Sequence, residues 1–273
     1  MTRPPNLPDF KSPPLNEVVV GVQFEQPDGY QQIRAGEVWS LFREDYPLVE
    51  EQPALPPVFE TFGLPKASQF DFGLVTGASH DRFWFLASGK DQLIQFQNDR
   101  LLHNWRKVGD QTNEYPRFET IIEKFEAELL TLEEYMRSIG KRPNQQLKIN
   151  QGEVTYINLI PCDGAPGTAC FSSEWLSLFN IDAHQFEDFN CTFRRRVLGE
   201  DGAPYARLTI QVAVGFVPKR GRVITLNLTF RGAPRGDTVD AAVAFLTVGR
   251  QMIVELFTQI TTKEAHTAWG RSQ

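Results

Sequence analysis

Cysteine, methionine and histidine are scarce in this chain of 273 residues, with three, three and four copies respectively. Cys162, Cys170 and Cys191 are too few and too far apart for a disulfide scaffold, and an odd, sparse count fits a reducing cytoplasm. The set Cys162, Cys170, His184 and Cys191 lacks the close cysteine pairs of structural zinc sites, so no metal and no cofactor is expected. Catalytic signatures are missing too. There is no G-x-x-x-x-G-K-S/T phosphate loop, no G-x-S-x-G elbow and no H-E-x-x-H. His80, His103, His184 and His266 stand far apart, and no nucleophile, base and orienting group can be named together. The expectation is therefore a protein that is not an enzyme. No uninterrupted apolar run approaches the roughly eighteen residues of a membrane span. The most apolar stretch, Val239 to Phe257, is broken by Arg250 and Glu255 and reads as a buried core helix. The first residues, MTRPPNLPDFKSPPLNE, contain no apolar signal-peptide core, so neither secretion nor a membrane is expected.

Charge is unevenly placed. Up to Asn144 there are 15 Lys and Arg against 22 Asp and Glu; beyond it the balance is 13 against 12. Much of the N-terminal acidity lies on one helix: Glu119, Glu123, Glu126, Glu133 and Glu134 share a segment whose apolar stripe runs from Phe118 through Ile121, Ile122, Phe125, Leu129, Leu132 and Met136 to Ile139. Pro116 is a good first helical residue, and Gly140 with Pro143 ends the pattern. A self-association seam on this helix is open but not required, as is a homo-oligomer in general.

The order of elements is written twice. EVVVGVQF (Glu17 to Phe24) reads as a strand, with Val18, Val20, Val22 and Phe24 on one face. A short amphipathic helix over 32–44 carries Val38, Trp39, Leu41 and Phe42. A long proline-bearing connection from Tyr46 to Gln69 follows, and then a meander of FDFGLVTG, RFWFLAS, QLIQFQ and RLLHNWRK. In the second half, EVTYINLI is a strand and Trp175 marks a short helix. The strands NCTFRRRVL, YARLTIQVAVGFV and RVITLNLTF precede a long helix from Thr238 to Thr262. The pattern predicts an α+β protein. Residues 1–15 form an extended arm, and 16–144 and 145–273 form two β-α-β(n)-α units produced by internal duplication. Two such units joined edge to edge give a curved antiparallel sheet with long helices on one face, a saddle-like or helix-grip-like arrangement.

Strand parity sorts the later meander. Phe189, Cys191, Phe193 and Val197 fall on the helix-covered face with Leu208, Ile210, Val212, Ile224, Leu226, Leu228 and Phe230. Arg195 falls there as an anomaly. The opposite face takes Thr192, Arg194, Arg196, Arg207, Thr209, Gln211, Thr225, Asn227, Thr229 and Arg231, without a carboxylate. The earlier meander adds Gln95, Gln97, Arg100, Asn104 and Arg106, with Trp84 beside them. This is either an ordinary solvated face or a recognition surface whose arginine forks suit carboxylate or phosphate. The candidate binding residues are Arg194, Arg196, Arg207, Gln211, Asn227, Arg231 and, near the other end of the chain, Trp269. A Trp-Gly so close to the last residue either docks on the body or docks on a partner.

FKSPPLNEVVVGVQFE, the Trp-x-Leu-Phe patch, the Tyr-Pro after it and the terminal Ala-Trp-Gly together resemble a sporadically distributed bacterial family of conserved hypothetical proteins. No reaction is assigned to that family, so the resemblance carries over no catalytic residue. It implies an accessory gene, of the kind found at phage-defence and toxin–antitoxin loci, and hence a partner-binding role. Three functions follow in order: a non-catalytic recognition protein for a protein partner, a nucleic-acid or anionic-ligand binder using the arginine face, and an enzyme with an unfamiliar site in the sheet.

Overall fold

A computed structural model of the chain describes residues 4–63, 81–140, 146–162, 172–178, 189–218 and 220–272. Its frame is one antiparallel sheet of nine strands: β1 Leu15–Phe24, β2 Leu48–Gln52, β3 Arg82–Leu86, β4 Gln92–Gln97, β5 Arg100–Arg106, β6 Ile149–Pro161, β7 Asn190–Leu198, β8 Pro204–Val217 and β9 Gly221–Gly232. The spatial order is β2-β3-β4-β5-β1-β6-β9-β8-β7. The helices are α1 Ala35–Phe42, α2 Phe118–Ile139, α3 Ser172–Trp175, α4 Val239–Ile260 and α5 Lys263–Ala268. The expected strand over 70–77 lies outside the described residues, as do His80, Pro143, Cys170 and His184.

The core lies between one sheet face and the pair α2 and α4. Alternation in β1 buries Val18, Val20, Val22 and Phe24, and α2 buries its stripe from Phe118 to Met136. The start of α2 differs from the expectation. The helix begins at Phe118, preceded by Arg117 in the left-handed region at φ 73°, so Pro116 stands outside it. Thr238 caps α4 by accepting from the Ala241 amide at 3.2 Å. Gly249 lets α4 approach the sheet: a Cβ there would stand 2.3 Å from the Phe230 ring. By length and mean hydropathy of 1.4, α4 could cross a membrane. Here Phe245, Leu246, Ile253 and Leu256 are buried in the core, and no other helix among the described residues meets that test.

Polar groups are buried with this core as well. Tyr46 donates to Glu128, and His103 Nδ1 lies 2.9 Å from Glu128 Oε2 beneath α2. Burial, reinforced by the Glu128 carboxylate, pushes the Tyr46 hydroxyl far above its usual range, so it stays a donor. Between the two long helices, Arg250 Nη2 donates to Glu119 at 2.8 Å.

Several expectations need correction. The connection after Tyr46 contains β2, which pairs with β3. The helix ending near Thr262 is followed by α5, which returns the tail to the body. Trp269 is buried, stacked on Trp175 at 5.7 Å and on Phe257 at 5.3 Å, with Phe10 of the N-terminal arm against it. Lys11 and Ser12 amides donate to the Gly270 and Trp269 carbonyls, so arm and tail clasp each other. Trp269 is thus a core residue and not a docking residue. Among the described residues β7 is an edge strand that the helices leave largely uncovered. Val197 is its one buried residue, Phe193 is 42% exposed, and Arg195 is exposed and hence no anomaly. Cys162 is disulfide-bonded and Cys191 is a free, half-buried thiol. The disulfide at Cys162 departs from the expectation of reduced, unpaired cysteines.

Candidate functional site: the sheet face turned away from the helices

Register places the candidate residues in three rows on the distal face. Arg196, Arg207 and Arg231 are lateral neighbours, as are Arg194, Thr209 and Thr229, and Thr192, Gln211 and Asn227. The structure therefore brings together all the candidates except Trp269. The arginine row continues inward through Glu153 on β6 and Gly21 on β1. Glu153 is what the sequence reading missed. Its parity opposite Val154, which faces the core, is the signal that assigns it to this face.

The face is neither bare nor free of acid. Residues 53–63, PALPPVFETFG, cross it as a strap. Gln97 accepts from the Leu55 amide at 2.9 Å and donates to the Leu55 carbonyl at 3.0 Å. Gln23 does the same for Val58, at 2.9 Å and 2.7 Å. Each glutamine amide thus pairs with a backbone unit as a neighbouring strand would. Arg100, bidentate to Asp99, donates to the Pro56 carbonyl at 3.1 Å. Arg207 donates to the Thr61 carbonyl at 2.5 Å, lies over the Phe62 ring at 5.4 Å and pairs with Glu60 at 2.9 Å. Arg231 pairs with Glu153 and reaches Glu60 at 3.8 Å. The expectation of a carboxylate-free face is overturned, because Glu60 arrives from a distant loop and Glu153 from the next strand.

Geometry explains why a proline-rich segment fits. Leu55 and Val58 are held from β4 and β1, two strands apart, a span of about 9.6 Å at the usual strand spacing. Three residues of polyproline-like chain advance about 9.3 Å. Pro53, Pro56 and Pro57 favour that extended form and cannot donate to a ladder, so the segment crosses the strands instead of joining them. Between strap and sheet lies a hollow of about 280 Å3, floored where Gly21 carries no side chain and walled by Arg100, Glu153 and Arg231.

Toward β3 the face is a polar ladder. Arg82 donates to Gln95 at 2.5 Å, Gln95 to Asn104 at 2.8 Å and Asn104 to Glu17 at 2.6 Å. Trp84 lies between the guanidinium groups of Arg82 and Arg106, at 5.6 and 5.5 Å. Burial raises the Glu17 carboxyl above the usual carboxylate range, and the Asn104 bond and the Arg106 charge offset this in part. On the other wing Arg194, Arg196 and Gln211 are exposed, and Asn227 is half-buried with its Oδ1 unpaired among the described residues. The described residues contain no group of three His, Cys, Asp or Glu suited to a metal ion. What this face can do chemically is hold backbone amides, carboxylates and an aromatic ring. No family model matches the chain, and no curated protein matches it.

Proposed function

We propose that the chain is a non-catalytic recognition protein that binds an extended, acidic segment of a protein partner across the distal face, where its own strap lies. The observation that carries this reading is the clamp on the strap. Gln23 and Gln97 grip backbone, and Arg207 and Arg231 take the Glu60 carboxylate. Amide groups paired with a backbone read no sequence, so another extended segment of the same charge pattern satisfies them equally. The strap is then a built-in competitor, and the hollow beneath it leaves room for side chains it does not itself supply. A polyproline-like occupant loses little entropy on docking, which favours this mode.

A nucleic-acid ligand is the weaker reading. Phosphates would have to displace Glu60 and Glu153 from Arg207 and Arg231 before gaining either charge. The same proposal treats 16–144 and 145–273 as duplicated units in a helix-grip-like arrangement. Its support is the order outward from the central pair: β1, β5, β4, β3 on one side and β6, β9, β8, β7 on the other. A place in a bacterial accessory system rests on the sequence resemblance alone.

The test is co-purification from the native host with three versions of the full chain. Wild type is expected to retain a stoichiometric protein partner, Glu60→Gln to retain more, and Arg207→Glu to lose it while its circular dichroism is unchanged. A partner held equally by Arg207→Glu, or wild type that emerges alone in repeated preparations, overturns the proposal.

A further inference from the structure

The two outer edges of the sheet carry opposite charge. β7 closes one side with Arg194, Arg195 and Arg196 in succession, all exposed and without an ion-pair partner among the described residues. β2 closes the other side with Glu50 and Glu51. Glu50 stands 3.7 Å from Lys90, while Glu51 is exposed and has no ion-pair partner among the described residues. Apolar surface accompanies the charge on both edges: Leu48 and Val49 are 39% and 44% exposed, and Leu198 on β7 is 55% exposed. Among the described residues no strand pairs with the outer side of either edge. The outer backbone of such an edge is a template for another strand.

Charge decides which strand. β7 against β7 sets one arginine run against another, and β2 against β2 sets glutamate against glutamate. Like charges directly opposite destabilise a strand pair, whereas opposite charges support it. Closed two-fold pairing through either edge is therefore disfavoured, and β7 of one copy suits β2 of the next. The charges match on both faces of the sheet. Glu50 shares the distal face with Trp84, its partner on β3, while Glu51 lies on the helix side; Arg194 and Arg196 are distal, and Arg195 lies on the helix side. The lateral row that begins at Glu50 ends at Arg196 after crossing all nine strands.

We infer that the chain self-associates head to tail, with β7 of one copy adding to the β2 edge of a second copy, so that the sheet continues from molecule to molecule. The two surfaces differ, so the contact is heterologous and repeats instead of closing on a dimer. No residue of the strap takes part, so this association and the partner-binding reading stand or fall separately.

Sedimentation velocity on the full chain tests it, at about 20 mM and about 500 mM salt, where the screening lengths differ several-fold. Wild type should form species larger than a monomer at low salt, growing with concentration and dissolving at high salt. Arg195→Glu alone and Glu51→Lys alone should each weaken association at least about tenfold. Mixing those two variants should restore it, because each then offers the edge the other lacks. Arg194→Glu with Glu50→Lys gives a second, independent pair should either variant misfold. Wild type that stays monomeric in every condition overturns the inference. So does association indifferent to these substitutions, or a mixture of folded variants that remains monomeric.

Discussion

Replacing Glu60 with glutamine keeps the shape of the strap and removes its one charge. The Glu60 side chain is only 10% exposed, and its main partner Arg207 is 20% exposed, so the pair lies between the surface and fully buried cases. Exposed pairs contribute about 0.2–1 kcal/mol, and breaking a buried one costs about 3–5 kcal/mol. Arg207 keeps the Thr61 carbonyl and the Phe62 ring, and Arg231 keeps Glu153, so neither guanidinium is stranded. A loss of about 1–2 kcal/mol follows, which raises the fraction of molecules with the strap lifted about 5- to 30-fold. Amide hydrogen exchange reads this directly, because the Leu55 and Val58 amides are bonded only to glutamine side chains of the sheet. Those two amides should exchange about 5- to 30-fold faster in Glu60→Gln, while amides of Val20 and Val154 in the central strands keep their wild-type rates. Phe59→Ala, at a ring that is 54% exposed, should change neither. Unchanged exchange at Val58 would refute the claim that the ion pair holds the strap. Equal acceleration in the central strands would refute the claim that the strap lifts as a separate unit.

Three further outcomes follow from the packing and the shifted groups. Burial holds the Glu17 proton more tightly in the folded chain than in the unfolded one, so stability should fall as pH rises through the usual carboxylate range toward the raised folded value. Glu17→Gln should abolish that fall in denaturant titrations between about pH 4 and 7, and an unchanged pH profile would contradict the assignment. His266 is shifted the other way, chiefly by burial and then by Arg271, so the arm–tail clasp should loosen as pH drops through the ordinary histidine range. Faster exchange of the Lys11 and Ser12 amides at about pH 5.5 than at about pH 7.5, after correction for intrinsic rates, checks this; His266→Gln should remove the difference. Gly249→Ala drives a methyl group into the buried Phe230 ring and should cost about 1–3 kcal/mol in chemical denaturation.

Where a pattern is local, the sequence announces it. The alternation of Val18, Val20 and Val22 marks β1, and the stripe from Phe118 to Met136 marks α2, because one periodic face of each is buried. β2 escapes because LVEEQ has no apolar alternation and sits beside prolines, its pairing coming wholly from β3. α5 is only six residues long and takes its cap from Thr262, with Ala265 its one buried residue. Parity correctly assigns Arg194, Arg207 and Arg231 to one face, but parity is silent on what covers a face. Glu60 reaches Arg207 from a loop with no period of its own, and Arg195 on the edge strand β7 is exposed although parity assigns it to the helix side. The histidine–carboxylate contact of His103 with Glu128 is likewise a tertiary event between a strand and a helix.

The claim on which the rest depends is that the distal face holds an extended acidic chain by clamping backbone and taking its carboxylate. Titration calorimetry can ask this of the protein with strap residues 55–62 replaced by glycine and serine, using a synthetic PALPPVFETFG peptide as the probe. The account predicts one-to-one binding that weakens about 5- to 30-fold when the peptide glutamate is changed to glutamine and is lost with Arg207→Glu. A strap-replaced protein that is folded yet binds no peptide at millimolar concentration would contradict it.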